Sequence, residues 1–241
     1  MVTPKFPPDI TKNERIKRGE AVLFPNMFPY DTYSAVAIFS GEHFKPLNDF
    51  SPELLRDGFA VSQEFLAVSA SAEDSRLFTS INWNYMPLAG GSIIHPHLQI
   101  IAGESGTNYH QTVLAASERY AEENGSSYWL DLIEEESRLG ERFIGKTGPI
   151  TWLAGFSPKG FIDITAIFER AATISDIIES DWYDFSRGLS AAMKFLDSHG
   201  FYSFNMAIYS GFGEDHFKAH AKVVPRALLP PMDTSDINYF N

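Results

Sequence analysis

The stretch PLAGGSIIHPHLQ, residues 87–99, places a glycine loop before an apolar segment that carries two histidines and a glutamine. The alternation of apolar and polar residues predicts a strand over 92–102. Three polar side chains are expected on one face of that strand: His95, His97 and Gln99. The alternate side chains are expected in the core: Ile94, Leu98 and Ile100. Polar side chains on an apolar strand are unfavourable without partners, so this face is predicted to meet a ligand.

The loop before this strand is suited to an anion. Gly90 and Gly91 allow backbone dihedrals that other residues avoid, so their N–H groups can approach a phosphate. Ser92 adds a hydroxyl donor. Pro96 removes one N–H from the sheet ladder, which predicts a sheet edge or an irregularity that a ligand can reach. A phosphate held by this loop would lie near the histidines.

The chemistry of the histidine pair has three interpretations. A neutral imidazole at His97 can attack phosphorus, and a nucleotidyl-histidine intermediate divides one displacement into two easier ones. Gln99 could then donate a hydrogen bond to a non-bridging phosphate oxygen. The same His-x-His spacing also fits half of a metal site, or two polar side chains that are merely hydrogen-bonded. The spacing alone does not choose among these interpretations.

The composition excludes several classes of protein. With 44% hydrophobic and 21% charged residues, the 241-residue chain is predicted to fold as one large domain or two small ones. The net charge of −12 argues against binding along a nucleic-acid backbone, although a small anion remains possible. The absence of cysteine excludes disulfides, thiolate metal sites and a cysteine nucleophile. With no apolar N-terminal segment and no long apolar run, neither a secretory signal nor a membrane span is expected, and the cytoplasm is the expected compartment.

Patterns on either side of the histidine segment recur in the second half. Each half is expected to contain strands, a long helix, a strand with an asparagine, a glycine-containing loop and a strand with a histidine. One helix is expected to begin with Ser51 as its N-cap and Pro52 at its first position. The other predicted elements are helices over 111–139, with a break at 125–127, and over 175–199, and strands over 161–168 and 216–225. Asn84 precedes His95 by eleven residues, as Asn205 precedes His216. The spacing predicts a diverged internal duplication. Antiparallel strands with helices between them favour an α+β fold over a doubly wound parallel sheet.

The chain is accordingly divided into four parts. Residues 1–19 are expected to form an irregular lead-in, and 20–120 the first repeat, which carries the histidine motif. Residues 121–228 are expected to form a second, degenerate repeat, and 229–241 an irregular tail.

The segment HPHLQ, preceded by its glycine–serine loop, resembles the active-site motif of the galactose-1-phosphate uridylyltransferase family, a branch of the histidine-triad superfamily. The resemblance implies a histidine-triad-like fold of two repeats, each with antiparallel strands and a long helix. It implies that His97 is the nucleophile that becomes nucleotidylated and that Gln99 binds the transferred phosphate. It also implies that Ser92 and Gly90 contact phosphate, and that Asn84 helps to hold the phosphate or the surroundings of the nucleophile.

The resemblance covers most of residues 20–226, although outside the HPHLQ segment it is weaker. FPNMF at 24–28 is similar to a nucleotide-binding Asn-Asp-Phe segment, which implies ribose and base contacts by Asn26 and Phe28, with Met27 in place of the aspartate. The family's hexose-binding C-terminal loop is not recognisable in PPMDTSDINYFN, so the acceptor is left open.

The metal sites of the family are incomplete in this chain. SGEHFKPL at 40–47 resembles a segment with a zinc ligand, which would be His43, and His95 would be a second ligand. In the family these histidines share zinc with two cysteines, which this chain lacks, so no cofactor is expected to be required and zinc would need substitute ligands. A second-repeat metal site uses His-x-His in some members, where this chain has His220-Ala-Lys222. No iron is expected there, and His216 and His220 are expected at polar positions of a partly covered strand.

These implications predict an enzyme, a nucleotidyltransferase that moves a nucleoside monophosphate from a nucleotide-sugar to a sugar 1-phosphate. The expected partners are these two substrates and a second copy of the chain in a homodimer, with no nucleic acid and no membrane. The rival enzyme is a nucleotide-sugar or dinucleotide phosphorylase that uses inorganic phosphate as acceptor. The remaining alternatives are a non-catalytic nucleotide-binding relic and a histidine-based metal-binding protein.

Overall fold

The structure, a computed structural model, describes residues 5–7, 10–71, 76–160, 162–229 and 234–235. The helices are α1 (Pro52–Ser71), α2 (Asn108–Asn124), α3 (Tyr128–Leu139) and α4 (Glu179–Ser198). The strands of the first half are β1 (Ile16–Arg18), β2 (Ala21–Pro25), β3 (Tyr33–Ile38), β4 (Phe78–Tyr85) and β5 (His97–Gly103). Those of the second half are β6 (Phe143–Thr147), β7 (Ile150–Ala154), β8 (Ile164–Phe168), β9 (Phe204–Tyr209) and β10 (His220–Pro225). A short pair follows, β11 (Leu228–Leu229) and β12 (Thr234–Ser235), and single 3-10 turns lie at Leu47–Asp49, Pro87–Ala89 and Ile174–Asp176.

One antiparallel sheet of ten strands organises the molecule, in the order β1-β2-β3-β5-β4-β9-β10-β8-β7-β6. Outward from the central β4–β9 pair, the first half runs β4-β5-β3-β2-β1 and the second half runs β9-β10-β8-β7-β6. The two orders correspond strand by strand, so the two halves are related as the duplication predicts. This arrangement confirms the expected α+β fold. Among the helices of the described residues, none combines the length and the apolar character that crossing a bilayer requires.

The two faces of the sheet are covered differently. Helices α1 and α4 pack against each other and against one face. Between them lies an aromatic core in which Phe185 stacks on Trp152, with ring centroids 5.5 Å apart and planes 9° apart. On the other face the hairpin of α2 and α3 covers only the second half of the sheet, through a smaller cluster of Trp129, Ile133, Leu153, Ile167 and Phe217. The first half of that face, which carries β5, has no helix over it among the described residues.

Local capping explains where the helices begin and end. The hydroxyl of Ser51 accepts a hydrogen bond from the N–H of Leu54 (3.2 Å), and Pro52 occupies the first turn of α1, as predicted. Gly125 ends α2 in the left-handed conformation, with φ 71°, at the predicted break. The long helix of the second half begins four residues after the predicted Ser175, because Thr173 and Asp176 cap a separate 3-10 turn.

Several predicted boundaries are wrong. The strand expected over 92–102 begins only at His97, and Ile94 is 50% exposed instead of lying in the core. Pro96 cannot donate to the ladder, which is consistent with the strand beginning after it. The strand expected from His216 begins at His220.

Two further expectations differ at the ends of the chain. The lead-in 1–19 is not wholly irregular, since β1 pairs with β2 and Ile16 is buried. A strand of three residues is too short to show a period in the sequence. The expected start of a strand at Phe161 and most of the tail 229–241 lie outside the described residues. The division into repeats at residue 120 stays a prediction.

Candidate active site

The candidate site lies on the uncovered face of β5 and its neighbours. Along β5 the side chains alternate, so that Leu98 and Ile100 are fully buried while His97 and Gln99 are half-buried on the opposite face. Asn82 of β4 pairs with Gln99 in the sheet register. Continuing that register by two residues places Asn84 level with His97. The structure therefore brings His97, Gln99 and Asn84 together on neighbouring strands.

His97 is held with one ring nitrogen fixed and the other available. Its Nδ1 lies 2.8 Å from the backbone carbonyl oxygen of His95. A carbonyl can only accept, so Nδ1 carries the proton in the neutral ring and Nε2 keeps its lone pair. Nε2 makes no hydrogen bond to another described residue. Burial lowers the pKa of His97 below its ordinary value of 6.5, which keeps the ring neutral and nucleophilic near neutral pH.

A buried asparagine of the second half, Asn205, holds Asn84 and the loop after β4 in place beside His97. Asn205 on β9 is 2% exposed and pairs in register with Asn84. Its Nδ2 donates to Oδ1 of Asn84 (2.7 Å) and to the carbonyl of Ala89 (2.8 Å). One amide therefore positions both a site side chain and the loop that follows β4. Asn82 and Asn205 were not predicted as site residues, because their roles depend on strand pairing that the sequence does not reveal.

The glycine loop is a compact turn that uses most of its own N–H groups. The N–H of Gly90 bonds to the carbonyl of Pro87 (2.9 Å), and that of Gly91 bonds to the carbonyl of Met86 (3.2 Å). These two N–H groups are therefore already bonded within the turn, and the phosphate contacts predicted for them stay a prediction. Glycine is required at position 91 because the loop passes close to the end of β4. A Cβ at this position would lie 2.8 Å from the carbonyl oxygen of Asn84. Ser92, which is exposed, remains the donor that the loop offers to a ligand.

The two predicted metal ligands meet, but they do not form a metal site. The rings of His43 and His95 lie edge to face with centroids 5.3 Å apart. Nε2 of His95 lies 2.8 Å from the carbonyl oxygen of Ser40 and donates to it, so only Nδ1 of that ring could bind a metal. In the part of the chain that the structure describes, no three His, Cys, Asp or Glu side chains are grouped to hold an ion. A structural zinc takes four ligands, so these residues do not fit one.

The predicted nucleoside contacts lie farther along the sheet. Asn26 follows β2, and its Oδ1 accepts from the N–H of Phe28 (3.1 Å) in a local turn. The register places Asn26 four residues from the level of His97, which is roughly 13 Å along the strands. Phe28 is 78% exposed there. A nucleoside phosphate extended along this face would place its phosphate at His97 and direct its base toward Phe28.

The second half holds a counterpart of His97 that the eleven-residue spacing missed. His97 lies opposite Ile38 of β3, and His220 lies opposite Ile167 of β8, each at the first residue of its strand. Nδ1 of His220 also lies 3.0 Å from the carbonyl two residues before it, that of Lys218. His220 is 1% exposed, so the expectation of a partly covered position is wrong.

Comparison with known proteins supports the fold. No protein-family model matches the chain. An uncharacterized protein of Archaeoglobus fulgidus is 31% identical over 234 residues, which are 96% of this chain and 69% of that protein. A solved uridylyltransferase superposes with a TM-score of 0.79 at 16% identity, over 91% of this chain and 77% of that one.

Two solved structures from Arabidopsis thaliana are also similar. A GalT-like protein matches with a TM-score of 0.75 at 17% identity, covering 92% of this chain and 76% of the other. An ADP-glucose phosphorylase with bound ADP-glucose matches with a TM-score of 0.75 at 18% identity, covering 90% and 79%. The chain therefore belongs to the same protein family as the Archaeoglobus fulgidus protein, and it has the histidine-triad-like fold of the uridylyltransferases.

Proposed function

We propose that the protein is a nucleotidyltransferase that moves a nucleoside monophosphate from a nucleotide-sugar to a sugar 1-phosphate through a nucleotidyl-histidine at His97. The observation that carries this proposal is the held imidazole, with Nδ1 on the carbonyl of His95 and Nε2 open on the uncovered sheet face. A ring fixed in one tautomer and kept neutral by burial is suited to nucleophilic attack.

The reaction has two balanced displacements. In the first, the lone pair of Nε2 forms a bond to the α-phosphorus, and the bond from that phosphorus to the bridging oxygen breaks. The sugar 1-phosphate leaves with the electron pair. In the second, an oxygen of the acceptor sugar 1-phosphate attacks the same phosphorus, and the nitrogen–phosphorus bond breaks to restore neutral His97.

The charge that builds up on the phosphoryl oxygens needs donors. The amide of Gln99, on the same face as His97, and the hydroxyl of Ser92 are proposed to supply them. The amide of Asn84, whose oxygen is already bonded to Asn205, presents its nitrogen to the site. No step in this proposal is assigned to a metal, since the described ligand set does not fit one.

A phosphorylase is the second candidate, in which inorganic phosphate replaces the sugar 1-phosphate as the attacking group. It uses the same first displacement. It is supported by the similarity in fold to an ADP-glucose phosphorylase. We further propose the cytoplasm as compartment and a homodimer as assembly, and we propose that the substrates are nucleotide-sugar and phosphate or sugar phosphate.

Intact-mass analysis tests the first displacement. The purified chain is incubated with UDP-glucose, UDP-galactose, ADP-glucose and GDP-mannose in separate reactions. We expect one covalent adduct with the mass of a nucleoside monophosphate, whose value identifies the base. His97→Ala should abolish the adduct, while His199→Ala, at the exposed end of α4, should keep it.

The acceptor is tested by adding either inorganic phosphate or galactose 1-phosphate to the isolated adduct. Discharge by the sugar phosphate supports the transferase, and discharge by phosphate supports the phosphorylase. Tight nucleotide binding without any adduct would refute both and support the non-catalytic relic. An adduct that forms equally well on His97→Ala would refute the assigned nucleophile.

A further inference from the structure

A cavity of about 480 Å³ lies beneath the hairpin of α2 and α3, on the same sheet face as the candidate active site but over the second half. Its volume falls within the usual range for small-molecule sites. Its walls include five aromatic side chains: Tyr109, Tyr120, Tyr128, Trp129 and Phe156. Phe156 is 81% exposed, which leaves a flat apolar surface at the edge of the cavity.

The sheet register shows that this cavity occupies the position equivalent to the proposed nucleotide site. Three residues are cross-strand neighbours on β2, β3 and β5 of the first half: Phe24, Val36 and Gln99. Their counterparts on β7, β8 and β10 of the second half line the cavity: Leu153, Thr165 and Lys222. Gly155 and Ser157, which follow β7 as Asn26 and Phe28 follow β2, also line it. The second half has thus kept a concave site in the same place.

One end of the cavity is cationic. Lys222 replaces the neutral Gln99 of the first half, and its Nζ forms an ion pair with the fully buried Asp163 at 2.9 Å. The ammonium groups of Lys159 and Lys222 lie 4.4 Å and 5.5 Å from the ring centroid of Tyr109. Burial lowers the pKa of Lys159, the charge of Lys222 lowers it further, and the carboxylate of Asp163 opposes the change. Two ammonium groups against the single carboxylate of Asp163 leave a positive balance at this end of the cavity, which favours an anion in a chain of net charge −12.

Another wall offers a buried acceptor. Glu136 on α3 is 4% exposed, and its Oε1 accepts from Arg142 at 2.6 Å. Its Oε2 is buried without a hydrogen-bond partner among the described residues. Glu136 lines the cavity. A buried carboxylate oxygen is unfavourable when unpaired, so a donor on a bound molecule would satisfy it.

We propose that this cavity is a second ligand site, which binds a planar aromatic anion with an N–H donor, such as a purine nucleotide. The aromatic walls would hold the base, Glu136 would accept from its N–H, and Lys222 with Lys159 would hold the phosphate. The site binds without chemistry. The counterpart of the nucleophile, His220, is stacked on Trp129 with ring centroids 4.1 Å apart, and the hydroxyl of Tyr109 lies 3.4 Å from its Nε2.

Titration with AMP tests the proposal, with heat and tryptophan fluorescence as readouts. In the Ala116→Trp variant, the indole introduced on α2 should fill the cavity. We therefore expect the wild-type chain to bind one more AMP molecule than this variant does. Lys222→Met should weaken AMP binding at that site by about tenfold or more but adenosine binding little, because a charged hydrogen bond to phosphate is lost. His97→Ala should retain the site, so the outcome does not depend on the proposed catalytic function.

Two further measurements decide the base contact and guard against misfolding. Purine riboside 5′-monophosphate, which lacks the exocyclic amine, should bind more weakly than AMP, and Glu136→Gln should reduce that difference. The unfolding transition of each variant shows whether it is folded. Equal AMP stoichiometry in wild type and folded Ala116→Trp, or equal AMP affinity in wild type and folded Lys222→Met, would overturn the proposal.

Discussion

Replacing Asn205 with alanine removes two side-chain hydrogen bonds that connect the two halves of the molecule at the candidate active site. In the native chain one amide nitrogen donates to Oδ1 of Asn84 (2.7 Å) and to the carbonyl of Ala89 (2.8 Å). Asn205→Ala leaves both oxygens without this donor. Since Ala89 is 6% exposed, water cannot readily replace the amide there.

The magnitude follows from the two acceptors. A buried acceptor without a donor costs about 1–3 kcal/mol, and the half-buried Asn84 lies at the low end of that range. Asn205 also carries an Oδ1 with no partner, and removing it recovers part of the loss. We expect a decrease in the free energy of unfolding of about 3 kcal/mol, which lowers the Tm of a chain of this length by about 6–12 °C.

The assay is denaturant unfolding of the full chain, with Ser203→Ala as the matched control. Ser203 lies on the segment that leads into β9, and its hydroxyl makes a single buried hydrogen bond to the carbonyl of Tyr85 (2.7 Å). Its loss should cost about 1–2 kcal/mol. In the nucleotidylation assay, Asn205→Ala should also slow adduct formation, because Asn84 and the loop before Ser92 lose their support. Equal destabilisation by the two substitutions, or a wild-type rate of adduct formation, would refute this reasoning.

The remaining predictions concern pH and the core. Burial lowers the pKa of His97 below 6.5. The rate of adduct formation should therefore stay constant from about pH 8 down to the ordinary imidazole pKa and fall only at lower pH. A decline that begins above that pKa would contradict the assigned neutral nucleophile. Burial lowers the pKa of His220 to about 3, so below pH 6.5 the unfolded chain binds a proton that the folded chain does not, and stability is lost as the pH falls toward 3. Between pH 7 and pH 5 this group alone should lower the free energy of unfolding by about 2 kcal/mol. In denaturant unfolding, the free energy of His220→Asn should therefore fall by about 2 kcal/mol less than that of the wild type over the same pH range. Identical decreases would exclude His220 as the cause. Phe185→Ala should cost about 3–5 kcal/mol, because the ring is fully buried against Trp152, whereas Phe195→Ala, at a side chain 46% exposed, should cost far less; similar shifts in Tm would contradict the assigned core.

Features that depend on neighbours in the chain could be predicted from the sequence. Ser51 and Pro52 begin α1, and Gly125 ends α2, because a cap is made within one turn of the helix. The alternation after Pro96 similarly identified His97 and Gln99 as residues of one strand face. The fold class itself was predicted from the order of helices and antiparallel strands in the two halves and from the family resemblance.

Features that depend on register or loop geometry could not be predicted. The spacing of Asn84 and Asn205 suggested that they were equivalent, but they are hydrogen-bonded neighbours across the central strand pair. The glycines before Ser92 suggested a phosphate cradle, but two of their N–H groups close the turn itself. In both cases the sequence pattern shows which residue can form a hydrogen bond but not which partner it meets in the folded chain.

The helical hairpin accounts for the different exposure of the equivalent histidines in the two halves. Both halves place a histidine at the start of an equivalent strand, with its Nδ1 on the carbonyl two residues earlier, so the imidazole itself is prepared in the same way at His97 and His220. Only in the second half do α2 and α3 cover that face, where Trp129 stacks on the ring and burial keeps it from titrating near neutral pH. A phosphorus atom therefore has access to Nε2 only in the first half. The sheet holds the imidazoles of His97 and His220 in the same way, and the hairpin covers only that of His220.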